Sequence, residues 1–449
     1  MMFHQLDPER AYRSSMLWLP KRLVPLDTVK AALTYWFAEP DGKGGMIPKE
    51  VAAWREEQHH IVVPREFPQE DIPCEVVDIQ RHTEPVDYRP DITPRSTVQS
   101  EAMEALSSSR AGILNLACGV GKTIMAIHRI AVGGGPALVV VNNSGILQQW
   151  VLELRDRLRL PAKDIGVVQG KLAEWDKPVV VGTVQTLFRR LAGGIPPWAK
   201  GRFATVIYDE AHHMAAREFN PVAGYFHGDR FGLTATAERT DGNERFYLYH
   251  LGPIIYTSLD VDVPPTVYLA HSGIEPTDKE RDTFFVRGLV NIPHIRAWQA
   301  KSAPRNRAIA ALVQSALGDG HKVIVLTHSK RDHIPRLKKL LPDAGEVTSD
   351  VKGQDRIDVL RTRDVIVGTV GAAQEGLDRP DLSVGIWATT LANENEFQQG
   401  TGRLARSFPG KEEAEAIFII DNVPKCLEHA RLIARYARKR GYKIVKFKL

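Results

Sequence analysis

Lys122 and Thr123 end the run Ala117-Cys118-Gly119-Val120-Gly121-Lys122-Thr123, which closes a strand-like pattern and opens a helical one. That context suits a phosphate-binding loop. The backbone amides around Gly119, Val120 and Gly121 can curl around phosphate. Lys122 offers a cation to the β- and γ-phosphates, the Thr123 hydroxyl can ligate Mg2+, and the helix start adds positive potential. One departure is Leu116, which stands where the general pattern has its first glycine. Further on, the apolar run Thr205–Tyr208 ends in Asp209-Glu210-Ala211-His212. Asp209 can hold Mg2+ directly or through water, and Glu210 can orient and deprotonate an attacking water. An acid-rich helix start would give the same letters, but beside a phosphate loop the pair is what ATP hydrolysis requires. His213 has no motif role and reads as structural. A third candidate is Gln399-Gly400-Thr401-Gly402-Arg403-Leu404-Ala405-Arg406. It reads as a short helix with Arg403 and Arg406 on one face, able to bring cations to a γ-phosphate as charge builds there. Taken alone, the two arginines read first as a surface pair; the preceding Gln and Gly and the matching segments below reverse that.

The elements that must position these residues are those of an α/β protein. Short β-branched runs alternate with helical segments: Gly112–Leu116, Ala137–Val141, Val179–Val181, Thr205–Tyr208 and Phe231–Leu233, then again Val323–Leu326, Val365–Val367, Val384–Ala388 and Ala416–Ile420. Continuous apolar strands between helices mean parallel sheets covered on both faces. The reading is two parallel-sheet lobes preceded by a small α+β domain. The expected divisions are 1–88 for the small domain, 89–262 for the first lobe, 263–300 for a connector and 301–449 for the second lobe. In the small domain, Met16–Leu19 and Ile61–Val63 read as strands, Thr28–Phe37 as a helix capped by Asp27, and Asp41–Gly45 as a Gly-rich loop. The proline-containing stretch Gln69–Pro94 reads as a linker.

Together these segments resemble the superfamily 2 helicases over residues 89–422. The resemblance implies two RecA-like lobes with ATP and Mg2+ in the cleft between them, and an arginine-finger role for Arg403 and Arg406 with Gln399. It places Arg95 and Gln99 at the adenine. It makes Asn142, Thr183, Gln185 and Thr369 contacts to nucleic acid, Thr234 and Thr236 of Thr234-Ala235-Thr236 the coupling between hydrolysis and movement, and Gly376 and Asp378 of Gln374–Asp378 contacts to nucleotide. Asn143 and Gln148-Gln149-Trp150 belong to the first DNA-contacting motif. The DEAD-box RNA helicases have Asp where this chain has His212, and usually His-Arg where Gln399 lies. His212, Thr234-Ala235-Thr236 and the leading Gln399 are closer to the XPB-like and phage UvsW-like DNA helicases. That likeness implies DNA as partner, branched or at single-strand/duplex junctions, with 3′ to 5′ movement and roles in recombination, repair or replication. An RNA motor, a non-catalytic scaffold and a restriction-type translocase subunit are the alternatives.

Composition adds exclusions. Apolar residues make up 43% and charged residues 25%, an ordinary globular balance. No apolar run approaches the ~18 residues of a membrane helix, and charges occupy the N-terminus where a signal peptide would have its apolar core. A cytoplasmic protein is expected. Cys74, Cys118 and Cys426 lie too far apart in sequence for a metal cluster or a disulfide framework. The net charge of +5 is mild, but Lys425–Lys448 is rich in Lys and Arg and reads either as a phosphate contact or as a solvated terminal helix. Lys21, Arg22, Lys30 and Trp36 are a candidate duplex grip, with Trp18 and Trp36 as core the alternative. No obligate protein partner is inferred, and the chain is read as a monomer.

Overall fold

The computed structural model describes residues 6–40, 46–68, 74–79, 83–211, 216–235, 244–351, 353–374, 379–391 and 393–449. The chain divides into two compact units, one of residues 1–116 and 121–258, the other of residues 259–449 together with 117–120.

The first unit is built on an eight-stranded sheet. Its order is Leu172–Ala173, Ile165–Gln169, Val179–Thr183, Ala137–Val141, Thr205–Asp209, Asp229–Thr234, Ala111–Leu116 and Ile254–Ser258. Every pairing is parallel except the short Ile165–Gln169/Leu172–Ala173 hairpin. All residues of the Ala137–Val141, Val179–Thr183 and Thr205–Asp209 strands are buried, as expected of strands covered on both faces. Because these strands run parallel, their C-terminal ends share one edge of the sheet, the edge on which open α/β sheets bind ligands.

Residues 11–78 add a five-stranded sheet, ordered Arg55–Glu56, His60–Val63, Leu17–Pro20, Ala11–Arg13, Val76–Asp78, and a separate hairpin of Thr34–Pro40 with Met46–Ala52. The expected helix over Thr28–Phe37 is corrected here: a helix spans Leu26–Ala32 and strand Thr34–Pro40 follows. The run Thr34-Tyr35-Trp36-Phe37 is β-branched and aromatic, and it alternates, with Tyr35 and Phe37 buried and Trp36 58% exposed. Asp27 lies in the first turn of the helix and caps nothing; Pro25 holds the cap position. The expected loop Asp41–Gly45 lies outside the described residues. This N-terminal region shares a continuous core with the large sheet. Leu17, Leu19, Tyr35, Phe37, Ile61 and Val63 cluster with Phe219, Phe246 and Tyr247. The guanidinium of Arg230, 1% exposed, donates to the carbonyls of Ser15 (3.0 Å), Ala223, Phe226 and His250.

The second unit is a seven-stranded, wholly parallel sheet, ordered Gly345–Val347, Val365–Thr369, Val323–Thr327, Val384–Trp387, Glu415–Ile420, Thr266–His271 and Ile444–Lys448. A hydrophobic cluster covers each face. Residues 263–300, unreadable by pattern, supply Thr266–His271, which pairs in register with Glu415–Ile420. The segment read as one terminal helix is the helix Pro424–Lys439 followed by the strand Ile444–Lys448. No helix among the described residues is long and apolar enough to cross a membrane.

Candidate nucleotide site and its supports

In the first unit the strand Ala111–Leu116 leads into a loop whose Gly119 and Gly121 both have φ of 94°. That left-handed conformation disfavours any side chain, which explains both glycines. Gly121 caps the helix Lys122–Gly133. A Cβ on Gly121 would lie 2.8 Å from the Gln99 side-chain nitrogen, so Gln99 rests against the loop. Gln99 is held there: its side-chain oxygen Oε1 accepts from the Arg95 backbone N–H at 2.8 Å, and its backbone N–H donates to Ser96 Oγ, the cap of helix Thr97–Ser108. Arg95 itself is exposed. Lys122 Nζ donates to the Leu116 carbonyl at 3.1 Å and lies 3.9 Å from a Glu210 carboxylate oxygen. Thr123 is half-buried at the helix start.

Asp209 ends the strand Thr205–Asp209 and is 9% exposed. Trp150, 1% exposed on the helix Ser144–Leu158, donates its indole N–H to Asp209 Oδ2 at 2.7 Å. Burial, then the neighbouring Glu210 carboxylate, push the Asp209 carboxyl up to about 6, while Trp150 and Lys122 oppose the shift. Glu210 follows with φ of 48°, left-handed for a residue with a side chain. Such conformations cost about 1–3 kcal/mol and concentrate at functional sites.

The remaining residues of the set lie at neighbouring strand ends. The register pairs Thr183 with Val141, Tyr208 with Val140, Asp209 with Leu233, and Thr234 with Asn115. Asn142 therefore follows a strand end beside Thr183. Asn143 caps the next helix, accepting from the Ile146 amide at 2.9 Å. Thr183 is 5% exposed and its hydroxyl donates to Thr186 Oγ at 2.8 Å, whereas Gln185 is half-exposed. Thr234 is 1% exposed. His212, His213 and Thr236 lie outside the described residues. Trp150 was readable only as part of a contact motif; its bond to Asp209 is a long-range contact that no local pattern signals.

In the second unit, Thr369 ends the strand Val365–Thr369 and its Oγ accepts from the Ala372 amide. Gly376 and Asp378 lie outside the described residues. Gln399 and Arg403 stand on the helix Glu394–Leu404. Arg406 does not: the helix ends at Leu404, correcting the expectation that both arginines share a helical face. Lys411 Nζ takes the carbonyls freed beyond the helix end. It donates to Leu404 O at 2.6 Å and Arg406 O at 3.0 Å, and also to Pro380 O and Leu382 O at 2.9 and 2.7 Å. Gly400 is required by packing, since a Cβ there would lie 2.4 Å from the Trp387 ring. The turn leading into this helix is fixed by a buried network. Arg305 and Gln299 both donate to Asp421, at 3.0 and 2.7 Å, and the Thr390 amide donates to Gln299 at 2.9 Å. The Arg305–Asp421 pair is fully buried.

The family described as "Type III restriction enzyme, res subunit" matches residues 92–239. A protein of Acanthamoeba polyphaga mimivirus named as an ATP-dependent RNA helicase is 26% identical over 365 residues, covering 78% of this chain and 68% of the relative. The "DNA 3'-5' helicase XPB" of Kineococcus radiotolerans is 25% identical over 387 residues, covering 84% and 68%. Among solved structures, S. cerevisiae Dbp5 bound to RNA and ADP BeF3 superposes with a TM-score of 0.58 at 14% identity, covering 79% of this chain and 90% of that one. That last likeness is one of fold, and it agrees with two RecA-like parallel-sheet units. Its motifs, its fold and these relatives agree with a superfamily 2 helicase similar to the XPB-like group.

Proposed function

We propose that this chain is an ATP-driven motor that unwinds or branch-migrates DNA, moving 3′ to 5′ on forks, displacement loops or four-way junctions in the cytoplasm, in recombination, repair or replication. The observation that carries the reading is the cluster at one sheet edge: Lys122 3.9 Å from Glu210, with buried Asp209 beside it. Lys122 and the amides of Gly119, Val120 and Gly121 hold the β- and γ-phosphates, and Arg95 and Gln99 hold the adenine. Glu210 orients the attacking water and takes its proton. Thr123 and Asp209 would hold Mg2+, which when bound neutralises charge on the phosphate oxygens. The fit is chemical: a carboxyl that burial drives toward its neutral form regains its charge beside a cation. Arg403 and Arg406, with Gln399, supply the cations that stabilise the transferring phosphoryl group. Gly376 and Asp378 join the nucleotide set by resemblance alone. Asn142, Thr183, Gln185 and Thr369 contact the nucleic-acid backbone, with Thr234 and Thr236 coupling hydrolysis to movement. In this reading 1–88 is a duplex-gripping accessory region, 89–262 and 301–449 are the motor lobes, the expected connector 263–300 joins the second lobe through its strand Thr266–His271, and the chain acts as a monomer.

The deciding experiment measures ATP hydrolysis and strand separation on single-stranded, duplex, forked and four-way DNA and on matched RNA. DNA should raise hydrolysis by about tenfold or more, and RNA much less. Lys122→Ala should lose nucleotide binding and turnover, and Glu210→Gln turnover alone. Absence of stimulation by any nucleic acid refutes the motor reading. Equal stimulation by RNA supports the second reading, an RNA motor, which the mimivirus relative's name favours.

A further inference from the structure

Residues 285–290 form a two-stranded antiparallel hairpin in the second unit, pairing Phe285 with Val290 and Val286 with Leu289. Its turn is Arg287-Gly288, with φ of 51° and 77°, the tight left-handed geometry that two-residue hairpins favour. So short a ribbon is marginal by itself, and this one is anchored at its root. Phe284, 2% exposed, packs edge-on against Trp298 at 5.6 Å, in a cluster with Ile295, Val423 and Cys426. The Asn291 amide closes the base by donating to Phe284 O at 2.7 Å.

Beyond that root the ribbon is apolar and open. Side chains alternate across a strand, so Phe285 and Val290 share one face and Val286 and Leu289 the other. Phe285 and Val290 are 51% and 44% exposed, Val286 and Leu289 42% and 75%. A ribbon that docks on a protein surface needs one apolar face. This one has two, both facing solvent, with a cation at the tip and no acid between Phe285 and Val290. A blade apolar on both sides fits between two apolar surfaces, and the ring faces of unstacked bases are such surfaces, flanked by phosphates that Arg287 can meet. Resting on the motor reading above, we infer that the Phe285–Val290 hairpin is a wedge that enters a nucleic acid at the single-strand/duplex junction and holds its first bases apart.

The test uses the full chain with Phe285→Thr and Leu289→Thr together, which keep strand-forming residues while removing apolar surface from both faces. Substrates are duplexes with a single-stranded tail at either end, in DNA and RNA, carrying 2-aminopurine at the first base pair. With wild type the probe brightens on binding. In the double variant, at unchanged melting temperature, brightening is lost and strand separation falls about tenfold or more, while single-strand-stimulated hydrolysis stays within about twofold. If that variant does not fold, Val286→Thr with Val290→Thr asks the same question. Strand separation within about twofold of wild type overturns the wedge, as does equal loss of hydrolysis and separation. A wild-type dimer that the variant dissociates also overturns it, making the hairpin a contact between copies. A wild-type chain that no nucleic acid stimulates overturns the motor reading, and the wedge with it.

Discussion

Asp209 depends on a residue 59 positions away. Its Oδ2 accepts the Trp150 indole N–H at 2.7 Å inside the sheet edge, where a carboxylate without partners is costly. A hydrogen bond to a charged group contributes about 1.5–3 kcal/mol. Trp150→Phe keeps the ring and removes only the N–H. With that bond gone, Asp209 can rotate, so more Mg2+ should be needed for half-maximal hydrolysis, and turnover should fall about tenfold. Nucleotide binding without Mg2+ should be unchanged. A Mg2+ titration of hydrolysis beside metal-free nucleotide binding checks this, and an unaltered Mg2+ profile would remove Trp150 from the site. At this scale the sequence is most legible where chemistry is local. Gly119, Gly121, Lys122 and Thr123 are adjacent, and their spacing alone implies the loop. Trp150 is adjacent to nothing it serves.

The helix Glu394–Leu404 and the two residues beyond it are held at both ends. At the entry, the Arg305–Asp421–Gln299–Thr390 network fixes the incoming turn; at the exit, Lys411 binds four carbonyls. Lys411→Met would strand those carbonyls and free Arg406. We expect a loss of about 2–3 kcal/mol in stability, hydrolysis slowed by about tenfold or more, and nucleotide affinity unchanged. Arg406→Ala sets the scale, at about 10³-fold for a lost arginine finger. Wild-type hydrolysis in a folded Lys411→Met chain would show that Lys411 does not position Arg406. Element boundaries were the least legible feature, for identifiable reasons. Arg406 lies beyond the helix end, where the downstream Lys411 takes the Leu404 and Arg406 carbonyls. Thr34–Phe37 joins a strand because its partner, Met46–Ala52, lies across a turn. The edge strand Ile444–Lys448 alternates apolar and basic residues only over Val445–Lys448, and after a basic helix so short a pattern is easily absorbed into that helix.

Over the whole molecule, two buried imidazoles make stability depend on pH in both units. Burial, with Arg230 nearby, holds His250 down from 6.5 to about 3, and burial, with Arg305 and Arg336, holds His333 likewise at about 3. Each stays neutral when folded and binds a proton when unfolded. Through these two groups stability is flat above pH 6.5 and falls as pH drops below it, by about 1.4 kcal/mol per pH unit for each group. Asp209, raised to about 6, offsets about one group's share of that fall between pH 6 and about 4. Asp381, held down to about 2 from 3.8, adds its own loss only below about pH 4. Melting temperatures measured from pH 8 to 5 should decline only below about 6.5; a flat profile contradicts the burial of both imidazoles as neutral groups. The N-terminal region matters at this scale too. Phe37 packs on Phe246 at 5.2 Å between ring centroids, so Phe37→Ala should cost the first unit about 3–5 kcal/mol. Calorimetry should show the loss there, and an unchanged transition would mean the region is not part of that unit's core.

That shared core has a consequence for how the chain is made. Leu17, Leu19, Ile61 and Val63 leave the ribosome well before Phe219, Phe246 and Tyr247, the residues they pack against. At ordinary synthesis rates the roughly 180 residues separating Val63 from Phe246 take on the order of 10–40 s. Through that interval the early strands have only one another, Val29, Leu33, Tyr35 and Phe37 against their apolar faces, and Arg230 has not yet closed on the Ser15 carbonyl. The first unit's core therefore closes late, once Ser258 at the end of the sheet's edge strand has emerged, and until then the nascent chain presents apolar surface of the kind chaperones bind.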